Sequence, residues 1–148
     1  MQIYKVVVTV NTQAQTVLAL SRAVGELTGR IDNGLGAVHG LGLAEFVVLH
    51  LLAEAPGQSM RRIDLAGALG RTASGVTRML MPMEKTGLVL KQRNPRDARS
   101  SLVKLSRGGG RIYAEAAVSF DEMSSRQLQR LNKEQVSDLQ KLTQILAS

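Results

Sequence analysis

The sequence has no cysteine and no tryptophan, and aromatics make up only 3% of its 148 residues. Without cysteine there are no disulfides, no thiolate zinc sites and no cysteine-based redox sensing, and a reducing, cytoplasmic setting is the expectation. With so few aromatics, the core has to be built from Leu, Val, Ile, Met and Ala. That suits a helical protein better than a β-sandwich. No apolar run approaches the roughly 20 residues of a membrane-spanning helix, so no membrane partner is expected. The opening segment MQIYKVVVTVN has one Lys and a short apolar run, too short for a signal-peptide core. Residues 1–11 read as an N-terminal extension, weakly strand-like and of unassigned role.

Positive charge is what the chain has in excess, and it is unevenly spread. Between Met60 and Arg111 lie twelve of the 19 Lys/Arg against three acids, a net +9. The rest carries seven basic and nine acidic residues, a net −2. A one-sided cluster of cations is what a phosphate-binding surface needs, because it displaces condensed counterions from nucleic acid.

Apolar periodicity predicts mostly helix. From about Asn11 to Val38, residues Val17, Leu20, Val24, Leu27, Ile31, Leu35 and Val38 form a seam of near-heptad spacing. Four glycines within this span would let another helix approach closely. Leu43 to Ala55 is apolar nearly all round, as a buried helix would be, and Pro56-Gly57 ends it. Ser59 can cap a helix over Met60–Leu69 with Ile63, Ala66 and Leu69 inward and Leu65 beside them. Gly70-Arg71 makes a turn, and Thr72 caps a second short helix that points Val76, Leu80 and Met83 inward. Two short helices joined by a Gly-containing turn are the grammar of a helix-turn-helix.

Pro82 is expected to kink that second helix by removing the hydrogen bond to the Arg78 carbonyl. Gly87 stops it. A hairpin follows, with Leu88-Val89-Leu90 leading out, Asn94-Pro95-Arg96-Asp97 turning and Ser101–Leu105 returning. Leu88, Leu90, Leu102 and Val103 are its expected anchors. Ser106 or a neighbouring Gly opens a long helix facing inward with Ile112, Ala116, Phe120 and Met123. A last helix from about Lys133 shows Val136, Leu139, Leu142, Ile145 and Leu146.

The chemistry on this frame is recognition rather than catalysis. If Val76, Leu80 and Met83 are buried, the helix from Thr72 exposes Ser74, Gly75, Thr77, Arg78 and Met81. In a major groove its N-terminal half presents hydroxyls to phosphates or base edges, and Arg78 can reach a phosphate or a guanine. Lys91, Arg93, Arg96 and Arg99 lie on the hairpin, where guanidinium groups can enter a narrow minor groove. Asp97 is the one acid there, and it is expected to hold the turn and orient the Arg99 side chain by a charge-assisted hydrogen bond. The candidate DNA-binding set is Ser74, Thr77, Arg78, Arg71, Lys91, Arg93, Arg96 and Arg99, with Asp97 as wing brace. His39 and His50 are too few for a metal site, and the triple glycine at 108–110 lacks the lysine of a phosphate loop. No nucleophile–base arrangement is present, so no enzyme, metal or cofactor is expected.

The order of motifs between about residues 40 and 113 resembles the MarR family of transcription regulators. The residues carrying it are Leu43-x-Glu45-Phe46 with Leu49, Asp64-Leu65-Ala66 with Leu69, and Ser74-Gly75-Val76-Thr77-Arg78. They continue with Met83-Glu84-x-x-Gly87-Leu88-Val89, Arg93-x-x-x-Asp97-x-Arg99, and Val103-x-Leu105-Ser106-x-x-Gly109. The terminal helices match in layout only. The resemblance implies a mainly α fold of about six helices with a small antiparallel β-wing. It implies a winged helix-turn-helix lobe over 41–107 and a helical dimerisation region over 12–40 and 108–148. It further implies a homodimer on a pseudo-palindromic double-stranded operator, with Arg99 in a flanking minor groove. Family members are often repressors released by a small organic effector bound between helix 1, helix 2, helix 5 and the winged lobe, at residues the sequence does not name. The missing cysteine separates this chain from thiol-sensing members. The missing tryptophan and the lack of a histidine-rich set separate it from urate and zinc sensing. The alternative from another class is a winged-helix protein-interaction module without specific DNA binding.

Overall fold

Asn11 sets the start of the first helix by accepting a hydrogen bond from the Ala14 N–H on its side chain (2.9 Å). The computed structural model describes residues 9–148. Of residues 1–11, read as weakly strand-like, 1–8 fall outside the described residues and 9–11 form no strand. Helix α1 (Thr12–His39) ends at Gly40. Its apolar seam divides: Ile31 and Leu35 are buried, whereas Val17, Leu20, Val24 and Val38 are exposed. Only the C-terminal half of α1 therefore meets this chain's own core. There α1 packs on the fifth helix, and a Cβ at Gly34 would collide with the Met123 thioether.

Helix α2 (Leu43–Glu54) is the central element, with Phe46, Val48, Leu49 and Leu52 buried. Its first N–H groups are satisfied from two directions. Glu45 Oε2 accepts from Gly42 N (2.8 Å), and Asp32 of α1 accepts from Leu43 N (2.7 Å). Residues Pro56–Gln58 form a single 3₁₀ turn.

Ser59 does not cap a helix. Ser59–Arg61 forms a short strand, β1, and helix α3 covers only Arg62–Ala68, with Arg61 as an N-cap whose side chain makes no capping bond. The strand exists because β3, some 40 residues later, pairs with it. The expected inner face of α3 holds except at Ile63. Leu65 and Ala66 are buried, Leu69 is half-buried, and Ile63 is 62% exposed. Seven residues carry too few apolar positions to define a face by periodicity.

After the turn at Gly70-Arg71, helix α4 (Ala73–Lys85) begins with the expected cap, in which Thr72 Oγ1 accepts from Gly75 N (3.1 Å). Val76, Leu80 and Met83 are fully buried. The helix runs through Pro82 to Lys85. Gly87, at φ +78°, releases the chain into the hairpin.

Strands β2 (Val89–Arg93) and β3 (Ser101–Leu105) pair antiparallel, with Val89 opposite Leu105 and Lys91 opposite Val103. The sheet has three strands in the order β1-β3-β2. Leu88 and Val103 anchor it and Leu102 is half-buried, as expected, but Leu90 is 52% exposed. Side chains alternate across a strand, so burying Val89 turns Leu90 outward. Val89 and Leu105 take the anchoring place assigned to Leu90.

Ser106 joins the hairpin to helix α5 (Arg107–Leu128). Its Oγ accepts from Gly109 N (2.8 Å) and donates to the Gly87 carbonyl (2.6 Å), while its N–H donates to the Leu88 carbonyl (3.2 Å). Along α5, Ile112, Ala116, Phe120 and Met123 face the core. Phe46 stacks on Phe120 (centroids 4.6 Å apart) and lies tilted against Tyr113 (5.6 Å). Helix α6 (Lys133–Ala147) starts with a reciprocal capping box between Asn132 and Gln135. None of its residues is buried. No single helix among the described residues is long and apolar enough to cross a membrane.

Candidate nucleic-acid interface

Helix α4 shows its polar side to solvent because its apolar residues are spent on the core. Ser74, Thr77, Arg78 and Met81 are exposed, and Gly75 is half-buried. The Thr77 hydroxyl donates to the Ala73 carbonyl (3.0 Å), leaving its lone pairs and methyl outward. The Ser74 hydroxyl lies 3.3 Å from Thr72 Oγ1. Arg71, in the turn before α4, is exposed as well.

The hairpin carries its cations in two groups. Lys91 and Arg93 on β2 and Arg99 on the returning loop surround one hollow of about 340 Å³. Arg96, at the turn, is exposed but does not line that hollow. Among the described residues no carboxylate lies within ion-pair distance of Arg71, Arg78, Lys91, Arg93, Arg96 or Arg99. Six cations without an ion-pair partner among the described residues thus lie on α4, its leading turn and the hairpin.

The loop itself is held by short-range bonds. Asn94 Oδ1 accepts from Arg96 N (3.0 Å), Asn94 Nδ2 donates to Ser100 Oγ (2.7 Å), and Asp97 Oδ1 accepts from Arg99 N (2.9 Å). The bond from Asp97 goes to the Arg99 backbone, not to its guanidinium. Asp97 does brace the turn, but it leaves the Arg99 side chain unpaired. A two-residue spacing favours the local side-chain-to-backbone ring over a side-chain pair.

Two arginines counted in the basic stretch are already committed. Arg61 donates to Asp64 through Nε and Nη2 (2.6 and 2.8 Å). This hydrogen bond holds the Asp64 carboxyl below its usual range and raises Arg61 further. Arg62 Nη2 meets Glu84 Oε1 at 2.6 Å, with both side chains less than one-third exposed. That ion pair ties the first residue of α3 to the last turn of α4. Its partners stand 22 residues apart with no spacing signal, and the sequence reading missed it.

The histidines are occupied structurally. His39 Nε2 is 2.8 Å from Ser119 Oγ, and His50 Nδ1 is 2.9 Å from the Tyr113 hydroxyl. Burial raises the Tyr113 phenol above its ordinary range, with the charges of Glu54 and Asp121 adding to it. No group of three or more metal-ligating side chains occurs among the described residues.

A separate cleft of about 470 Å³ lies between α1, α2 and the turn into α4. Thr28, Gly29 and Asp32 form one wall, Leu43 and Val47 another, and Leu69 with Arg71 the third. Helix α5 does not line it.

The model of the MarR family matches residues 41–101. The transcriptional regulator HosA of Escherichia coli O111:H- is 31% identical over 91 residues, which cover 62% of this chain and 66% of HosA, just under two thirds of its length. Among solved structures, Sco3205, a MarR family transcriptional regulator from Streptomyces coelicolor in complex with DNA, superposes with a TM-score of 0.86 at 23% identity, covering 97% of this chain and 91% of the other. CouR from Rhodococcus jostii RHA1, bound to p-coumaroyl-CoA, superposes with a TM-score of 0.79 at 22% identity over 89% and 91% of the two chains.

Proposed function

We propose that the chain is a member of the MarR family and acts as a dimeric, sequence-specific, double-stranded DNA-binding transcription regulator, a repressor relieved by a small-molecule effector. One observation carries this reading above all. The turn before α4, the exposed face of α4 and the adjoining hairpin hold six cations, Arg71, Arg78, Lys91, Arg93, Arg96 and Arg99, with no carboxylate partner among the described residues, beside the exposed hydroxyl residues Ser74 and Thr77. A protein-docking face would mix both charges and bury apolar anchors. In this reading Ser74, Thr77 and Arg78 meet the major groove, with Arg71 at its edge. Lys91, Arg93, Arg96 and Arg99 follow the backbone into the neighbouring minor groove, and Asp97 braces the wing. Residues 41–107 act as the DNA-binding lobe, and 12–40 with 108–148 as the dimerisation region. The cleft lined by Thr28, Val47 and Arg71 offers an effector an apolar floor with a cation at its rim, next to the turn that leads into α4.

The test is enrichment of bound DNA from a random or genomic pool. A pseudo-palindrome with half-sites about one helical turn apart is expected. Recovery of no preferred sequence at any salt concentration defeats the reading in favour of a protein-interaction module.

A further inference from the structure

One apolar side chain stands in the polar face of α4. Met81 is 62% exposed, while Val76, Leu80 and Met83 on the same helix are fully buried. At about 100° per residue, Ser74, Arg78, Met81 and Lys85 fall within roughly 60° of one another around the helix. Met81 therefore continues the stripe begun by Ser74 and Arg78. Ser74 and Met81 are separated by about 10.5 Å of helix rise, close to three base-pair steps of about 3.4 Å each. Core filling is excluded by the exposure. A thioether is also a feeble hydrogen-bonding group, so a polar base contact is a poor use for it.

We propose that Met81 is a specificity residue that packs against the C5-methyl group of a thymine in the major groove. That methyl is the apolar feature of the major-groove edge, and it marks a T·A pair apart from the other three arrangements. Methionine suits the task, because its unbranched, polarisable chain adapts to a small apolar target. Met81 supplies a preference that Ser74 and Arg78, which read donors and acceptors, cannot, and it adds to the methyl that Thr77 turns outward. The inference rests on the DNA-binding reading above and deepens it.

The experiment uses the full chain and DNA enriched by it from a random pool. That DNA is resynthesised with deoxyuridine in place of thymidine at one position at a time, which removes a methyl and leaves base pairing intact. At one thymine per half-site the wild type loses about fourfold in affinity, the worth of about one buried methyl-sized group. The Met81→Ala protein shows no such loss at that position, because its partner for the methyl is gone. Met81→Gln, which keeps the side-chain length, behaves like Met81→Ala and serves where the alanine variant proves unstable. A uridine scan that is flat for the wild type, or a penalty that persists in both variants, overturns the assignment of Met81. A pool that yields no enriched DNA overturns the DNA-binding reading itself and Met81 with it.

Discussion

Arg99 and Arg78 carry the same charge, but their removal should have different consequences. Arg99 sits on the wing loop with its backbone held by Asp97 and its guanidinium free. If it neutralises one phosphate, Arg99→Ala weakens all DNA alike and flattens the slope of log affinity against log salt by about 0.9. Titrations across a salt series measure that slope, and an unchanged one removes Arg99 from the interface. Arg78, on the stripe with Ser74, should instead cost about 1–3 kcal/mol on the preferred site and much less on random DNA. Equal losses on both would make it a phosphate contact only. Both positions were readable in the sequence, because unpaired arginines among turn residues and on a capped helix have few structural uses. The job of Asp97 was only half readable: the turn was legible from Asn94-Pro95-Arg96-Asp97, but whether its carboxylate meets a backbone N–H or a side chain depends on loop geometry.

Among the elements, α4 was the most legible and β1 the least. Val76, Leu80 and Met83 follow helical spacing behind a Thr cap, and all three are buried as expected. β1 has three residues and no pattern of its own, and its existence depends on Ser101–Leu105 arriving beside it. The same long-range pairing chose which face of the hairpin points inward and so exposed Leu90. The junction of these elements is where stability should be most sensitive. Thr72→Ala removes one N-cap bond and should cost about 1 kcal/mol, a fall of about 2–4 °C in melting temperature for a chain of this size. Gly109→Ala should do more, because a Cβ there would collide with the Leu88 carbonyl that α5 is docked against. Overpacking against backbone costs toward 3 kcal/mol, about 6–12 °C on the same scale. Thermal melts of the two variants rank them, and a Gly109→Ala protein melting above Thr72→Ala would mean that α5 can slide away from the hairpin at little cost.

At the scale of the molecule, two helices leave apolar faces uncovered. They are the outer half of α1, with Val17 and Val24 half or more exposed, and α6, with Leu142, Ile145 and Leu146 between 57% and 71% exposed. Those residues keep the helical spacing of a buried face, yet none of them is buried. Those faces suit the second copy that the proposed two-fold operator calls for. Leu142→Asp with Ile145→Asp should therefore give a species that sediments as a monomer while α2, α4 and the hairpin keep their fold. On DNA bearing two half-sites, losing the tethered second lobe should weaken binding by about 10²–10⁴-fold. On DNA bearing one half-site the change should be small, which separates lost bivalency from the repulsion of two added carboxylates. A variant that still sediments as a dimer would remove α6 from the interface. A monomer that binds two half-sites as tightly as before would mean that each lobe reads DNA independently.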